Sequence, residues 1–196
     1  MAGIVGVVLA GGRSTRFGSE KAMAVVEGAP MIARVATVLG AGGAPVAVNA
    51  PETSGAAAWA RAEGLPLLPD AAGAPDGPLS GVLAGLDWAA ARGAAALVTA
   101  PCDTPRLPPD LVPRLAQARG EAPAAAAVTA DGSHPLCALW SVQLREPLRL
   151  QLAEVHPSVS RWLEQVGAAW ARFAESEAFA NLNHAPQVTS GPARRI

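Results

Sequence analysis

Cysteine is too sparse in this chain to build a framework. The two residues, Cys102 and Cys137, make neither a zinc constellation nor a disulfide scaffold, and small buried residues are the natural reading of both. Long hydrophobic runs are missing as well. Half of the chain is hydrophobic, yet alanine supplies much of that share, and no uninterrupted apolar stretch approaches membrane-spanning length. Charge of one sign is not in excess: 15 basic residues face 16 acidic ones, so nothing suggests general nucleic-acid or membrane binding. No basic segment precedes the first apolar run, as a signal peptide would require. These absences predict a cytoplasmic protein with no membrane and no nucleic-acid partner. Nucleophilic triads are also lacking. His134, His156 and His184 have no triad context, and no serine sits in a nucleophile elbow. His156, ahead of Pro157 and a helix, is expected at the surface.

What is present begins at the first strand. Ile4, Val5, Val7 and Val8 form a β-branched run that reads as a buried strand. The segment 9–21 follows, with adjacent glycines Gly11 and Gly12, a third glycine at 18, and the cations Arg13, Arg16 and Lys21. Glycine lets backbone N–H groups crowd a ligand, and successive N–H groups form a concavity suited to anions. Strand, glycine loop and clustered cations read as a phosphate cradle. It is not a P-loop, because two residues separate Gly18 from Lys21 and Ala22 follows in place of Ser or Thr. The spacing of Gly11, Gly12 and Gly18 does not fit a dinucleotide fingerprint either. A solvated surface loop is the plain alternative.

Downstream, strands and helices alternate. A helix over 31–39 carries Met31, Val35 and Val38 on one face, with Pro30 at its start and Gly40 at its end. A strand over 45–49, an alanine-rich helix over 55–63 and a short strand over 65–68 come next; Pro66 places that strand at an edge or at a strand start. A helix from Pro78 puts Leu79, Leu83, Leu86 and Ala90 on one face, and 94–99 is another buried strand. Asp110 opens a helix reaching about Arg119. Strands over 124–129 and 136–140 flank a turn at Asp131-Gly132. A helix over 142–154 is expected to be interrupted near Pro147, a clear amphipathic helix covers 158–166, and 169–173 is a late strand. The expectation is one α/β domain over 1–186 with a largely parallel sheet, and a frayed tail over 187–196. Three strands end near a polar residue: Asn49, Asp70 and Asp103. Ligands of open α/β sheets lie beyond the C-terminal strand ends, although Asn and Asp are also common turn residues.

The run Leu9-Ala10-Gly11-Gly12, continued by Ser14, Arg16, Phe17, Gly18, Glu20 and Lys21, resembles the signature loop of the molybdenum cofactor guanylyltransferases. These belong to the nucleotidyltransferases with a Rossmann-like fold. Gly77-Pro78-Leu79-Ser80-Gly81, Pro101-Cys102-Asp103-Thr104-Pro105 and Phe179-Ala180-Asn181-Leu182-Asn183 continue the resemblance in order, to about Pro186. It implies a three-layer nucleotidyltransferase fold with a mostly parallel central sheet. It also implies transfer of GMP from GTP to molybdopterin, with Mg²⁺ as cofactor, and dealings with cofactor-delivery proteins and molybdoenzymes.

By the same resemblance, Leu9, Ala10, Gly11 and Gly12 contact the nucleotide and Lys21 lies beside its phosphates. Asn49 and Asp70 are further GTP contacts, to base or ribose, and Asp103 binds both nucleotide and metal. Gly77 to Gly81 form the turn where the base approaches a helix N-terminus. His134, Asn181 and Asn183 belong to the acceptor side. Lys21, Asp103 and Arg16 are the expected catalytic residues. Asp76, just before Gly77, competes with Asp70, and the spacing favours Asp70. After Asn183 the chain reads His184-Ala185-Pro186, where relatives usually continue Thr-Pro. The rivals are a cytidylyltransferase, which usually reads A-A-G in the loop, and a nucleotide-binding or delivery protein without activity.

Overall fold

The computed structural model describes residues 3–11, 21–70 and 75–182. The run Ile4–Leu9 is β1, and it lies in the middle of the sheet because both of its faces are apolar. It pairs in parallel with β4 (Val46–Asn49) on one side and β6 (Ala96–Pro101) on the other. Outside β4 lies β5, only Leu67–Leu68, an edge strand as Pro66 predicts. Beyond β6 come β8 (Gly132–Ser141), β7 (Ala124–Thr129) and β9 (Ala169–Arg172). The order is β5-β4-β1-β6-β8-β7-β9, and β8 runs antiparallel to both of its neighbours. A separate hairpin pairs β2 (Val25–Val26) with β3 (Ala29–Pro30) across Glu27-Gly28, both at positive φ.

Alternation along the strands separates two cores. Val8, Val48 and Val98 face helices α1 (Met31–Leu39), α2 (Gly55–Ala62) and α4 (Leu111–Arg119). Val7, Ala47 and Leu97 face α3 (Pro78–Ala91), α5 (Arg145–Glu154) and α6 (Val159–Gln165). The result is the helix–sheet–helix sandwich expected of the class, with a mostly parallel sheet.

Three local expectations are corrected. Leu79 and Leu86 lie on the buried face of α3 as expected, but Ala90 is only partly buried and Leu83 packs at the margin of the core; the fully buried face is Leu79, Val82, Leu86 and Ala89, with Gly81 and Gly85 between them. Glycine at these positions lets the helix sit close to β1 and β6, which turns the stripe towards the small residues. Pro147 does not interrupt a helix. A 3₁₀ turn over Val142–Leu144 precedes α5, and Pro147 falls in the first turn of α5, where the missing N–H is harmless. The strand expected over 136–140 runs over Gly132–Ser141 and carries a bulge, the partner register jumping from Ala138 to His134 between Ala126 and Ala127. Thr99 on β6 caps that bulge, donating from Oγ1 to the Leu136 carbonyl at 2.8 Å while accepting from Trp140 Nε1 at 2.9 Å.

Candidate active site

The parallel register sets the strand ends side by side. Leu9 on β1 lies opposite Asn49 on β4 and Pro101 on β6, and Asn49 lies opposite Leu68 on β5. Ala10 N–H donates to the Asn49 carbonyl at 2.8 Å, and Cys102 N–H donates to the Leu9 carbonyl at 3.0 Å. Gly11, Asp70 and Asp103 each follow this row by two residues, on the edge where open α/β sheets bind ligands. Leu9 and Ala10 are buried, whereas Gly11 is exposed.

Asp103 is held at that edge by its surroundings. Thr104 Oγ1 donates to the Pro101 carbonyl at 2.9 Å, closing a tight turn around the carboxylate. Leu182 N–H donates to the Asp103 carbonyl at 3.0 Å, which brings the segment carrying the exposed Asn181 alongside. Asp103 Oδ2 accepts from Lys21 Nζ at 2.7 Å across 82 positions of sequence. Oδ1 is withdrawn from solvent and meets no donor among the described residues. A carboxylate oxygen in that state is costly to keep unless a cation completes it. No group of three His, Cys, Asp or Glu that could hold a metal occurs among the described residues. Mg²⁺ does not need one, since it typically uses one or two carboxylates with phosphates and waters. The carboxylate therefore fits a divalent ion that brings its other ligands with it.

The cysteines are not nucleophiles. Burial, and then the charge of Asp103, push the Cys102 thiol up to about 12, against the opposing pull of Lys21. The same two causes push Cys137 up to about 12. Both remain neutral thiols near pH 7.

His134 lies on β8, where Nε2 sits 2.9 Å from Thr129 Oγ1 and the ring stacks on Phe179 at 4.7 Å. Burial holds its pKa below the usual imidazole range, opposed by the nearby charge of Asp131, so the ring is neutral at pH 7. Phe179 stands two residues before Asn181, and so His134 braces the segment that docks on Asp103. His156 is exposed, as expected.

Asn49 is enclosed at this edge, 3 % exposed. Its Nδ2 donates to the Leu68 carbonyl and to Asp70 Oδ1, both at 2.8 Å. Asp76, the competing acid, is exposed and one residue before Gly77, whose φ of 144° suits glycine. Gly12, Arg16 and Asn183 lie outside the described residues. Sequence reasoning did not assign roles to Thr104 or Phe179; the Thr-Pro after Asp103 was the available signal for the first, and nothing local marked the second.

Lys21→Ala is expected to lower the GMP transfer that the resemblance implies by about a hundredfold, since a positioned cation at developing phosphate charge is worth that order. The melting temperature should fall by only a few degrees, because partly exposed ion pairs contribute little to stability. Steady-state kinetics with thermal melts test this, and transfer at the wild-type rate would remove Lys21 from the reaction.

A family model described as MobA-like NTP transferase domain matches residues 6–170. A molybdenum cofactor guanylyltransferase of Cereibacter sphaeroides is 45% identical over 181 residues, 92% of this chain and 91% of that one. One of Acidiphilium cryptum is 39% identical over 193 residues, covering 96% and 94%. The crystal structure of molybdopterin-guanine dinucleotide biosynthesis protein A from Archaeoglobus fulgidus superimposes with a TM-score of 0.69 at 20% identity, covering 92% of each chain. With the profile matched across most of its length and relatives this similar end to end, the chain belongs to the MobA-like NTP transferase family, among the molybdenum cofactor guanylyltransferases.

Proposed function

We propose that this nucleotidyltransferase moves GMP from GTP to the phosphate of molybdopterin, giving the guanine dinucleotide form of the cofactor and diphosphate. A phosphate oxygen of the pterin attacks the α-phosphorus of GTP. The bond from that phosphorus to the bridging oxygen breaks, and its electron pair leaves with diphosphate. No protein nucleophile is needed, because the attacking monoester is largely ionised near neutral pH, with a second pKa of about 6. The protein's task is to align two anions and offset their repulsion.

The observation that carries this reading is the pairing of Lys21 with Asp103 at the end of β6, with Asp103 Oδ1 left without a donor among the described residues. Lys21 would bind and orient the phosphates, and Gly11 would let them approach the backbone. Arg16 and Gly12 are assigned to the same cradle by resemblance. Asp103 would hold Mg²⁺, which when bound supplies charge neutralisation at the phosphates. Asp70 is proposed as the GTP contact on the β5 side. On the acceptor side, Asn181 and Asn183 would meet the pterin, with His134 supporting them through Phe179. The product would pass to cofactor-delivery proteins or molybdoenzymes in the cytoplasm. No helix among the described residues is long and apolar enough to cross a membrane.

Thermal-shift titration with GTP, CTP, ATP and UTP, each with and without Mg²⁺, tests the reading, since a ligand stabilises the fold according to its affinity. GTP with Mg²⁺ should raise the melting temperature most. Each guanine polar group left unmatched by another base should cost about 1–3 kcal/mol, roughly 5- to 150-fold in affinity. CTP binding as tightly as GTP would replace this reading with the cytidylyl one. Tight GTP binding without transfer of labelled GMP to the pterin would favour a delivery protein.

A further inference from the structure

The Asn49 side chain is oriented by chemistry. Both groups that Nδ2 meets, the Leu68 carbonyl and Asp70 Oδ1, are acceptors, so the nitrogen must face them and the oxygen must face away. An amide nitrogen has two N–H donors, and these two bonds engage both. The oxygen is packed between two glycines. A Cβ built at Gly11 would come within 3.1 Å of Asn49 Oδ1, and one at Gly81 within 2.3 Å. The side chain thus touches the end of the edge strand, the loop after β1 and the first turns of α3 at once.

That edge strand needs a clamp. β5 has two residues and pairs on one side with β4, so its ladder holds Leu68 weakly. Asp70 lies two residues further out and is exposed. The bonds from Asn49 tie both the backbone of β5 and the Asp70 carboxylate to an inner strand whose own backbone is fixed against Ala10.

We propose that Asn49 is a positioning residue: its amide nitrogen holds the Asp70 carboxylate in the orientation in which that carboxylate meets GTP, and the nitrogen itself makes no contact with the nucleotide. This rests on the reading of Asp70 as a GTP contact. It assigns Asn49 a different task from the direct contact that resemblance suggests. One oxygen of Asp70 is occupied by Asn49, and Asp70 Oδ2 is the atom presented to the ligand.

A double-mutant cycle on the whole enzyme tests it, with GTP affinity by titration and kcat and KM by transfer of labelled GMP, for wild type, Asn49→Ala, Asp70→Ala and the double variant. Each single change should raise the Kd and KM for GTP about tenfold, the order expected for losing a hydrogen bond to a charged group, with kcat within about threefold. The double variant should bind no more weakly than Asp70→Ala alone. Additive losses, near a hundredfold, would mean that Asn49 acts on GTP independently and would overturn the proposal while leaving Asp70 in place. Unchanged affinity in Asp70→Ala would remove the reading of Asp70, and the proposal with it. If Asn49→Ala does not fold, the cycle is run with Asn49→Leu, which keeps the branched shape and removes both donors without adding a charge beside Asp70. A general loosening of the fold would lower kcat as well, so the split between KM and kcat separates positioning from mere destabilisation.

Discussion

Asp103→Asn is expected to reduce GMP transfer by at least about a hundredfold while the protein stays folded, the largest functional effect of any conservative change in this chain. The substitution keeps the shape of the side chain and alters only its charge and its donors. Lys21 Nζ lies 2.7 Å from Oδ2 and donates there, so the amide oxygen must stay on that side. The amide nitrogen then takes the place of Oδ1, and two N–H donors point where an acceptor with no described donor now stands. A position that suited a cation becomes one that repels it. The packing is untouched, because Thr104 and Leu182 hold the turn through backbone carbonyls that the substitution leaves alone. Asp110, seven residues on, provides the control. It precedes α4, yet its side chain caps no N–H, and its pairing with Arg114 is an exposed contact at 3.7 Å. Asp110→Asn should therefore cost at most a few tenths of a kcal/mol and leave transfer intact. Mg²⁺-dependent transfer of labelled GMP measured beside melting curves distinguishes the two. Near-normal transfer by the Asp103 variant would remove the metal assignment.

The contrast between these aspartates shows what could be read from sequence and what could not. The buried strands β1, β4 and β6 were legible because parallel strands covered on both faces must be continuously apolar, and Val7, Val48 and Val98 obey that rule. The polar residues just beyond them were legible for the same reason, standing out at the ends of apolar runs. Pairings were not. Asn49 meets Asp70 across 21 positions and Lys21 meets Asp103 across 82, and no local pattern encodes either. The face of α3 was misread because the reading weighted leucines, whereas contact with a sheet is governed by how closely the backbones approach. Glycine, which adds nothing to a hydrophobic stripe, decided that orientation at Gly81 and Gly85. The bulge in β8 was hidden too, since its support comes from Thr99 on another strand.

Those two glycines give the largest expected stability contrast. Both lie on the buried face of α3, and alanine at either gains up to about 1 kcal/mol of helix propensity. Gly81 is only the fourth residue of the helix, so its gain is the smaller one. What the added methyl meets then decides the sign. At Gly85 the Cβ would come 2.8 Å from Leu97 Cδ2 and 3.2 Å from Val7 Cγ2, the ends of side chains that can shift by a few tenths of an ångström. The cost is offset by the propensity gain, and the melting temperature should move by less than about 2 °C. At Gly81 the Cβ would come 2.3 Å from Asn49 Oδ1 and 2.9 Å from its Cγ. Asn49 cannot swing aside without releasing the Leu68 carbonyl and Asp70, so either the helix lifts from β1 or both hydrogen bonds break. Overpacking of this kind costs about 1–3 kcal/mol, roughly 2–10 °C in melting temperature for a chain of this size. Gly81→Ala should therefore melt lower than Gly85→Ala and also bind GTP about tenfold more weakly, because the displaced amide no longer holds Asp70. Melting curves and GTP titration on the two variants side by side measure both effects. Wild-type GTP affinity in Gly81→Ala would show that the contact between Gly81 and Asn49 shapes the fold alone and not the nucleotide site.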